Sequence, residues 1–299
     1  MRTRFWWVVL AVGCHGQPSG PSPAPPVSAA APEMAPSPLH AGTPCGALEC
    51  AQFDSVEEAF LAATRGAPRV IAIGEAHAQR DATVPSSAKR FTETLLPLLE
   101  GRASDLLVEL MNPPVGCPAK AAEVKKQQEV VTSHQAASDQ GEYVAMGEAA
   151  KKLGIVPDLL RPTCADMDAI HDAGEDAVVV SLSTIARLTG KKVIELVDRD
   201  ARTAEDSRKL VVTYGGAIHH DRSPPAGREA WAFGPEVDAY VKGRYVEIDL
   251  YVPEYIESSD AWKKLPWYPH YDRAKLGAKA TMFRPRERTF VIIFPTTTH

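Results

Sequence analysis

The sequence predicts an α/β fold with a mainly parallel central sheet flanked by helices, and antiparallel strands are allowed at its C-terminal edge. Three observations lead there. Short apolar runs stop abruptly at glycine or a carboxylate, as in Arg69-Val-Ile-Ala-Ile-Gly74, Asp105-Leu-Leu-Val-Glu109 and Arg208-Lys-Leu-Val-Val-Thr-Tyr214 before Gly215-Gly216. Runs of that length without alternation are strands buried on both faces. Segments of helical periodicity separate them, and strand, helix, strand in succession implies a parallel βαβ unit.

Taken in order, Ser55 to Thr64 places Val56, Ala59, Phe60 and Ala63 on one face, with Ser55 as its cap. The strand Arg69 to Gly74 follows, then helical spacing over Ser86 to Glu100, then the strand ending at Glu109. Helices are predicted for Gly141 to Leu153, Asp176 to Thr189 and Lys191 to Ala204, with a short strand near Asp158 to Arg161. After the strand of Arg208 to Tyr214 come a helix over Gly234 to Val241 and strands over Tyr245 to Tyr251 and Thr289 to Phe294.

The N-terminus has a different character. Arg2 and Arg4 precede the apolar run Phe5 to Val12, which ends at Gly13 and Cys14. Residues 1 to 14 read as a signal peptide with a lipobox-like end, so Cys14 is expected to carry a lipid and anchor an exported protein at the cell envelope. The run falls well short of the roughly 20 residues that span a bilayer. Residues 15 to 44 are rich in Pro, Ala, Ser and Gly, which predicts a disordered tether, and residues 45 to 299 form one expected domain.

The net charge of −5, with Lys and Arg scattered, excludes nucleic acid as an expected partner. Cys45, Cys50, Cys117 and Cys164 remain once Cys14 is set aside, and an even number in an oxidising compartment predicts disulfides, with three possible pairings. Cys45 and Cys50 lack a second closely spaced pair, so a cysteine zinc site is the weaker reading.

The chemistry-bearing residues cluster where strands end. Gly74-Glu-Ala-His77 and Gly216-Ala-Ile-His219 each follow an apolar strand directly, and Glu109 closes another. In open α/β sheets ligands bind beyond the carboxyl ends of the strands, so two imidazoles and a carboxylate are expected in one pocket. There is no Gly-x-Ser-x-Gly elbow, no phosphate-cradling glycine loop and no His-Glu-x-x-His. His134 and His171 read as structural or solvated, and the aromatic run Trp262 to Tyr271 as packing, for which a substrate-binding or haem-covering loop is the alternative.

The runs Val70 to His77, Leu106 to Leu110, Leu196 to Asp200 and Val211 to His219 stand in an order that resembles the superfamily joining Tiki and TraB proteins, haem-binding ChaN lipoproteins and erythromycin esterases. The likeness covers residues 55 to 222. It implies a ChaN-like or erythromycin-esterase-like sheet, and it places Glu75, His77, Glu109, Arg199 and His219 in the site.

The resemblance predicts a place more firmly than a reaction; two imidazoles and a carboxylate suit a borderline divalent ion, so the expected chemistry is a metal-assisted hydrolytic site of peptidase or esterase type. His77, His219 and one of Glu109 or Glu75 would ligate Zn, Mn or Co, the other Glu would act as base, and Arg199 would steady the oxyanion of a peptide or small-molecule substrate. Without metal, a Glu-supported His77 is itself the expected base. Haem or iron held by His77 or His219 is the alternative, and a catalytically inactive interaction module is the third.

Overall fold

The computed structural model describes residues 41–202 and 209–297. The expected signal peptide, Cys14 and tether residues 15 to 40 lie outside the described residues, as do Ala204 and Arg208 at the ends of their expected elements.

Among the described residues nine strands form one sheet in the order β1-β2-β8-β9-β7-β3-β6-β4-β5. They are β1 (Thr43–Gly46), β2 (Cys50–Phe53), β3 (Val70–Glu75), β4 (Ala103–Met111), β5 (Val156–Leu160), β6 (Leu210–Gly216), β7 (Tyr245–Tyr251), β8 (Ala280–Arg286) and β9 (Thr289–Ile293). The pairs from β9 through β5 are parallel, whereas β1, β2 and β8 join antiparallel at the other edge. The expected mixed sheet is therefore present, and its antiparallel edge combines the beginning and the end of the described chain. Strand β1 begins at Thr43, inside the stretch expected to be tether, because β2 supplies it with a hydrogen-bonding partner.

Alternation within the apolar runs explains the layers. Ile71, Ile73, Leu106, Val108, Val212 and Tyr214 enter one core with α1 (Val56–Ala63) and the segment 91–99. Val70, Ala72, Leu107 and Val211 enter the opposite core. Both faces are covered, so every position of β3 is apolar until Gly74 and Glu75, and each fully buried aliphatic side chain contributes roughly 1.5–3 kcal/mol. Ser55 caps α1 as expected, its hydroxyl accepting from the Glu58 amide at 3.2 Å.

The segment expected as one helix over 86–100 is helical in three parts: α2 (Ser87–Arg90), a wide turn over Phe91–Leu95, and a tight turn over Leu96–Leu99. Pro97 has no N–H to donate and its ring would crowd the carbonyl of Glu93, four residues back, in a regular α-helix, which favours the change of helix type. Helix α3 (Pro118–Thr132) lacks an apolar stripe, and the sequence reading missed it. Next come α4 (Asp139–Lys152) and α5 (Cys164–Asp172), the latter opened by a reciprocal Thr163–Asp166 capping box.

The two helices expected over 176–204 are one, α6 (Ala177–Arg202). Gly190 does not break it. A Cβ there would stand 3.1 Å from Phe233 Cβ, so the glycine admits α8 (Gly234–Tyr240) against the helix. The short α7 (Ala217–His220) follows β6 directly. Disulfides join Cys45 to Cys50, closing the β1–β2 hairpin, and Cys117 to Cys164, tying the start of α3 to the start of α5.

Candidate active site

Strand order positions the site. β6 lies between β3 and β4, and the register pairs Glu75 with Gly216. Glu75 and His77 therefore arrive from one neighbour of Gly215-Gly216 and Glu109 from the other, while α7 carries His219 back over the same strand end.

The glycines supply room rather than unusual dihedrals. Gly216 has φ −63°, which any residue adopts. A Cβ on Gly215 would lie 2.1 Å from Glu109 Oε2, so only glycine lets that carboxylate cross β6. Glu109 Oε2 then accepts from the Gly216 amide at 2.7 Å. The Cβ direction of Gly216 locates the point where the side chains converge: His77 Nε2 stands 3.3 Å from it, and Glu109 Oε2 and His219 Cδ2 each 3.8 Å.

Behind His77 sits a closed hydrogen-bond network. Glu75, 4% exposed, accepts from Tyr143 at 2.7 Å and from Tyr214 at 2.6 Å, and pairs with His77 Nδ1 at 2.9 Å. Three donors satisfy the buried carboxylate, as burial requires. Burial by itself would favour neutral His77, but the hydrogen bond and charge of Glu75, followed by the charges of Glu109 and Asp139, outweigh it and hold the imidazole up at about 9. Burial and the Glu75 charge push the hydroxyls of Tyr143 and Tyr214 well above their ordinary value, so both remain donors. With Nδ1 engaged by Glu75, the Nε2 of His77 is left for the cavity.

His219 is held differently. Its Nδ1 donates to the Trp231 carbonyl at 2.7 Å, which places the lone pair of the neutral ring on Nε2, 3.6 Å from Glu109 Oε1. The adjacent His220 turns inward, its Nδ1 donating to the Gly216 carbonyl at 3.1 Å and its ring edge-on to Phe233. Burial, then the neighbouring His219, lowers it to about 3, which makes it a neutral structural residue.

Arg199 is not in this site. It ion-pairs with Asp105 and with Asp200, the latter at 3.0 Å. Asp105 precedes Glu109 by four residues, or about 13 Å along a strand, which puts Arg199 toward the amino ends of the strands. The charge-rich helix run thus serves a buried carboxylate instead of a developing oxyanion.

The polar cluster forms one end of a cavity of about 1030 Å³ whose wall also includes Met111, Val124, Met167, Leu182, Ile185 and Trp262. Its cations are Lys125 and Arg228, the latter stacked 5.7 Å over the Trp231 ring. Asp139 lines the same cavity. Burial, then the Glu75 and Glu142 charges, raises it to about 6 against the opposing pull of His77. Sequence reasoning missed Tyr143, Asp139 and Arg228, because each reaches the site from a helix or loop without a recognisable spacing. Tyr214 could have been found, since it directly precedes Gly215-Gly216. The aromatic run divides: Trp267 is buried among Tyr251, Tyr268, Tyr271 and Phe283, while Trp262 and Leu265 face the cavity.

The donor set for a divalent ion is incomplete. Two ligands bound tetrahedrally at about 2.1 Å stand about 3.4 Å apart, which the 3.6 Å between His219 Nε2 and Glu109 Oε1 would suit. Among the described residues, however, no three His, Cys, Asp or Glu side chains gather closely enough to hold a metal ion.

No protein-family model matches the chain, and no curated protein matches it. Among solved structures it is similar to a Bacillus cereus protein, at 10% identity and TM-score 0.37 over 82% of this chain and 94% of that one. It is similar also to a mutant erythromycin esterase, EreC, in its open conformation, at 9% identity and TM-score 0.38 over 78% of this chain and 91% of that one. Agreement at that level does not bear on chemistry, which the side chains must supply.

Proposed function

We propose that this protein is an exported hydrolase that cleaves an ester-type bond in a bulky, largely apolar substrate. The observation that carries the reading is the convergence of His77, Glu109 and His219 on one point above Gly216, with His77 backed by buried Glu75. The cavity's volume and its apolar wall support the substrate class.

Each group has a role that its surroundings favour. A water held at the convergence point gives a proton to His219 Nε2 as its oxygen attacks the ester carbonyl carbon, and Glu109 stabilises the imidazolium so formed. His77, protonated at neutral pH, faces the developing oxyanion and gives its Nε2 proton to the departing alkoxide as the C–O bond breaks. Glu75 and the two tyrosines keep the His77 ring in place. The proton taken by His219 then replaces the one given by His77, so ester and water yield acid and alcohol.

Export is supported by the two disulfides, which persist in oxidising compartments. Among the described residues no helix is long and apolar enough to cross a membrane. Anchoring through Cys14 belongs to the same proposal, and mass analysis of the membrane-extracted chain tests it.

The activity is tested with p-nitrophenyl esters of increasing acyl length, comparing wild type with His77→Ala. Turnover that rises with chain length and collapses in the variant supports the reading; equal rates in both proteins, or no turnover of any ester, removes it. Haem added to the same two proteins addresses the alternative: a Soret band lost in His77→Ala, without ester turnover, replaces hydrolysis with haem binding.

A further inference from the structure

At the amino end of the parallel strands lies a second cavity, of about 430 Å³, lined by Arg69, Val197, Tyr240, Val241, Lys242 and Arg244. Three of these six residues are cations and none carries a carboxylate. Arg69 is 5% exposed, and its position is fixed from one side: Nη2 donates to the Val197 carbonyl at 3.0 Å and to Asp200 Oδ2 at 3.3 Å. Its Nη1 is buried and meets no hydrogen-bond partner among the described residues.

Arg244 is brought beside it by the sheet. The Arg244 carbonyl accepts from the amides of Arg69 at 2.8 Å and Val70 at 3.2 Å, and β3 pairs Val70 with Tyr245 of β7. Burial lowers the proton affinity of Arg69, and the Arg244 charge acts in the same direction against the attraction of Asp200. Lys242 adds a third cation from the turn after α8; it has φ +53°, and its backbone N–H donates a hydrogen bond to the Ala239 carbonyl. Gathering like charges around a buried guanidinium is unfavourable unless an anion joins them.

We propose that this cavity is a binding site for a phosphate-class anion, held by Arg69, Lys242 and Arg244 and separate from the hydrolytic site at the other end of the sheet. A tetrahedral oxyanion presents enough acceptors for the buried Nη1 and for the two exposed cations at once. The ligand is a free phosphoryl compound or the headgroup of an anionic lipid, two sources with the same recognising chemistry. The site shares no residue with the proposed hydrolase, so either assignment can fail alone.

Inorganic phosphate, titrated calorimetrically into the full chain at constant ionic strength, tests the proposal. Saturable binding is expected, weakened about tenfold or more in Lys242→Gln/Arg244→Gln, the loss expected from two charge-assisted hydrogen bonds. Both positions are exposed, and near-ultraviolet circular dichroism checks the fold; if the double variant does not fold, Arg244→Gln alone serves. Non-saturable binding, or equal affinity in wild type and variant, overturns the site. Flotation with vesicles of phosphatidylglycerol and phosphatidylcholine, against phosphatidylcholine alone, identifies the source. Co-flotation with the anionic vesicles that the variant loses assigns a lipid headgroup; phosphate binding without flotation assigns a free anion.

Discussion

The two ends of the same parallel strands handle buried charge in opposite ways. At the carboxyl end a carboxylate lies at the centre, and Tyr143, Tyr214 and His77 close around Glu75, leaving His77 Nε2 turned to a large cavity. At the amino end guanidinium groups dominate. Arg199 is spent on Asp105 and Asp200, and Arg69 on Asp200, with positive charge left over. A network that satisfies itself while leaving one reactive nitrogen outward is built for chemistry; one that consumes its own charges holds elements together. Arg199 and His77 are both polar residues near strands, and only the closure of their surroundings distinguishes their roles.

Removing His77 should widen the contrast most. His77→Ala is expected to lower ester turnover per folded molecule by about 10²–10⁴-fold, the range for loss of a general acid, and to lower the transition temperature as well, because buried Glu75 loses one of its three partners. A variant that keeps its rate would erase the difference between the ends. The counterpart, Arg199→Ala, should leave the rate per folded molecule intact and cost about 2 kcal/mol in denaturant unfolding, because fully buried Asp105 loses its partner. A selective loss of rate in that variant would return Arg199 to the site.

Gly215→Ala tests the packing between them. The added methyl would fall on Glu109 Oε2, so the strand or the carboxylate must move, at a cost of roughly 1–3 kcal/mol and with reduced turnover. Wild-type stability and rate together in this variant would show that Glu109 need not cross β6.

The smallest effect is on pH dependence, and it separates two neighbouring histidines. His77 is raised to about 9, so its stabilisation is complete below its unfolded value near 6.5 and is lost as pH climbs through 9. His220 is lowered to about 3, so its stabilisation is present above about 6.5 and is lost as pH falls toward 3. Unfolding curves of His220→Phe should flatten only the acid limb. A flattened alkaline limb in that variant would reverse the two assignments.

Much of this arrangement was legible from local pattern. The apolar runs of β3, β4 and β6 announce themselves because strands buried on both faces are mostly apolar, and Gly74 and Gly215-Gly216 mark where they stop. Helix α3 was invisible because it lines a cavity and gives a core little beyond Ala121 and Val124, too few apolar residues to mark a stripe. Gly190 misled for a related reason: glycine in a helix looks like a break, whereas here it is the contact surface for Phe233. Arg199 misled because a charged helix run carries no mark of which end of a strand it will meet.

By itself the sequence determined the layered α/β architecture and the identity of the glycine-hinged histidines, since periodicity and chain punctuation are local properties of the polypeptide. The tertiary structure alone decided that β6 would lie between β3 and β4, that two tyrosines from different elements would share Glu75, and that the cations would gather at the opposite end. Those outcomes depend on strand order and register, which follow from packing whole faces against each other and leave no imprint on any single stretch of residues.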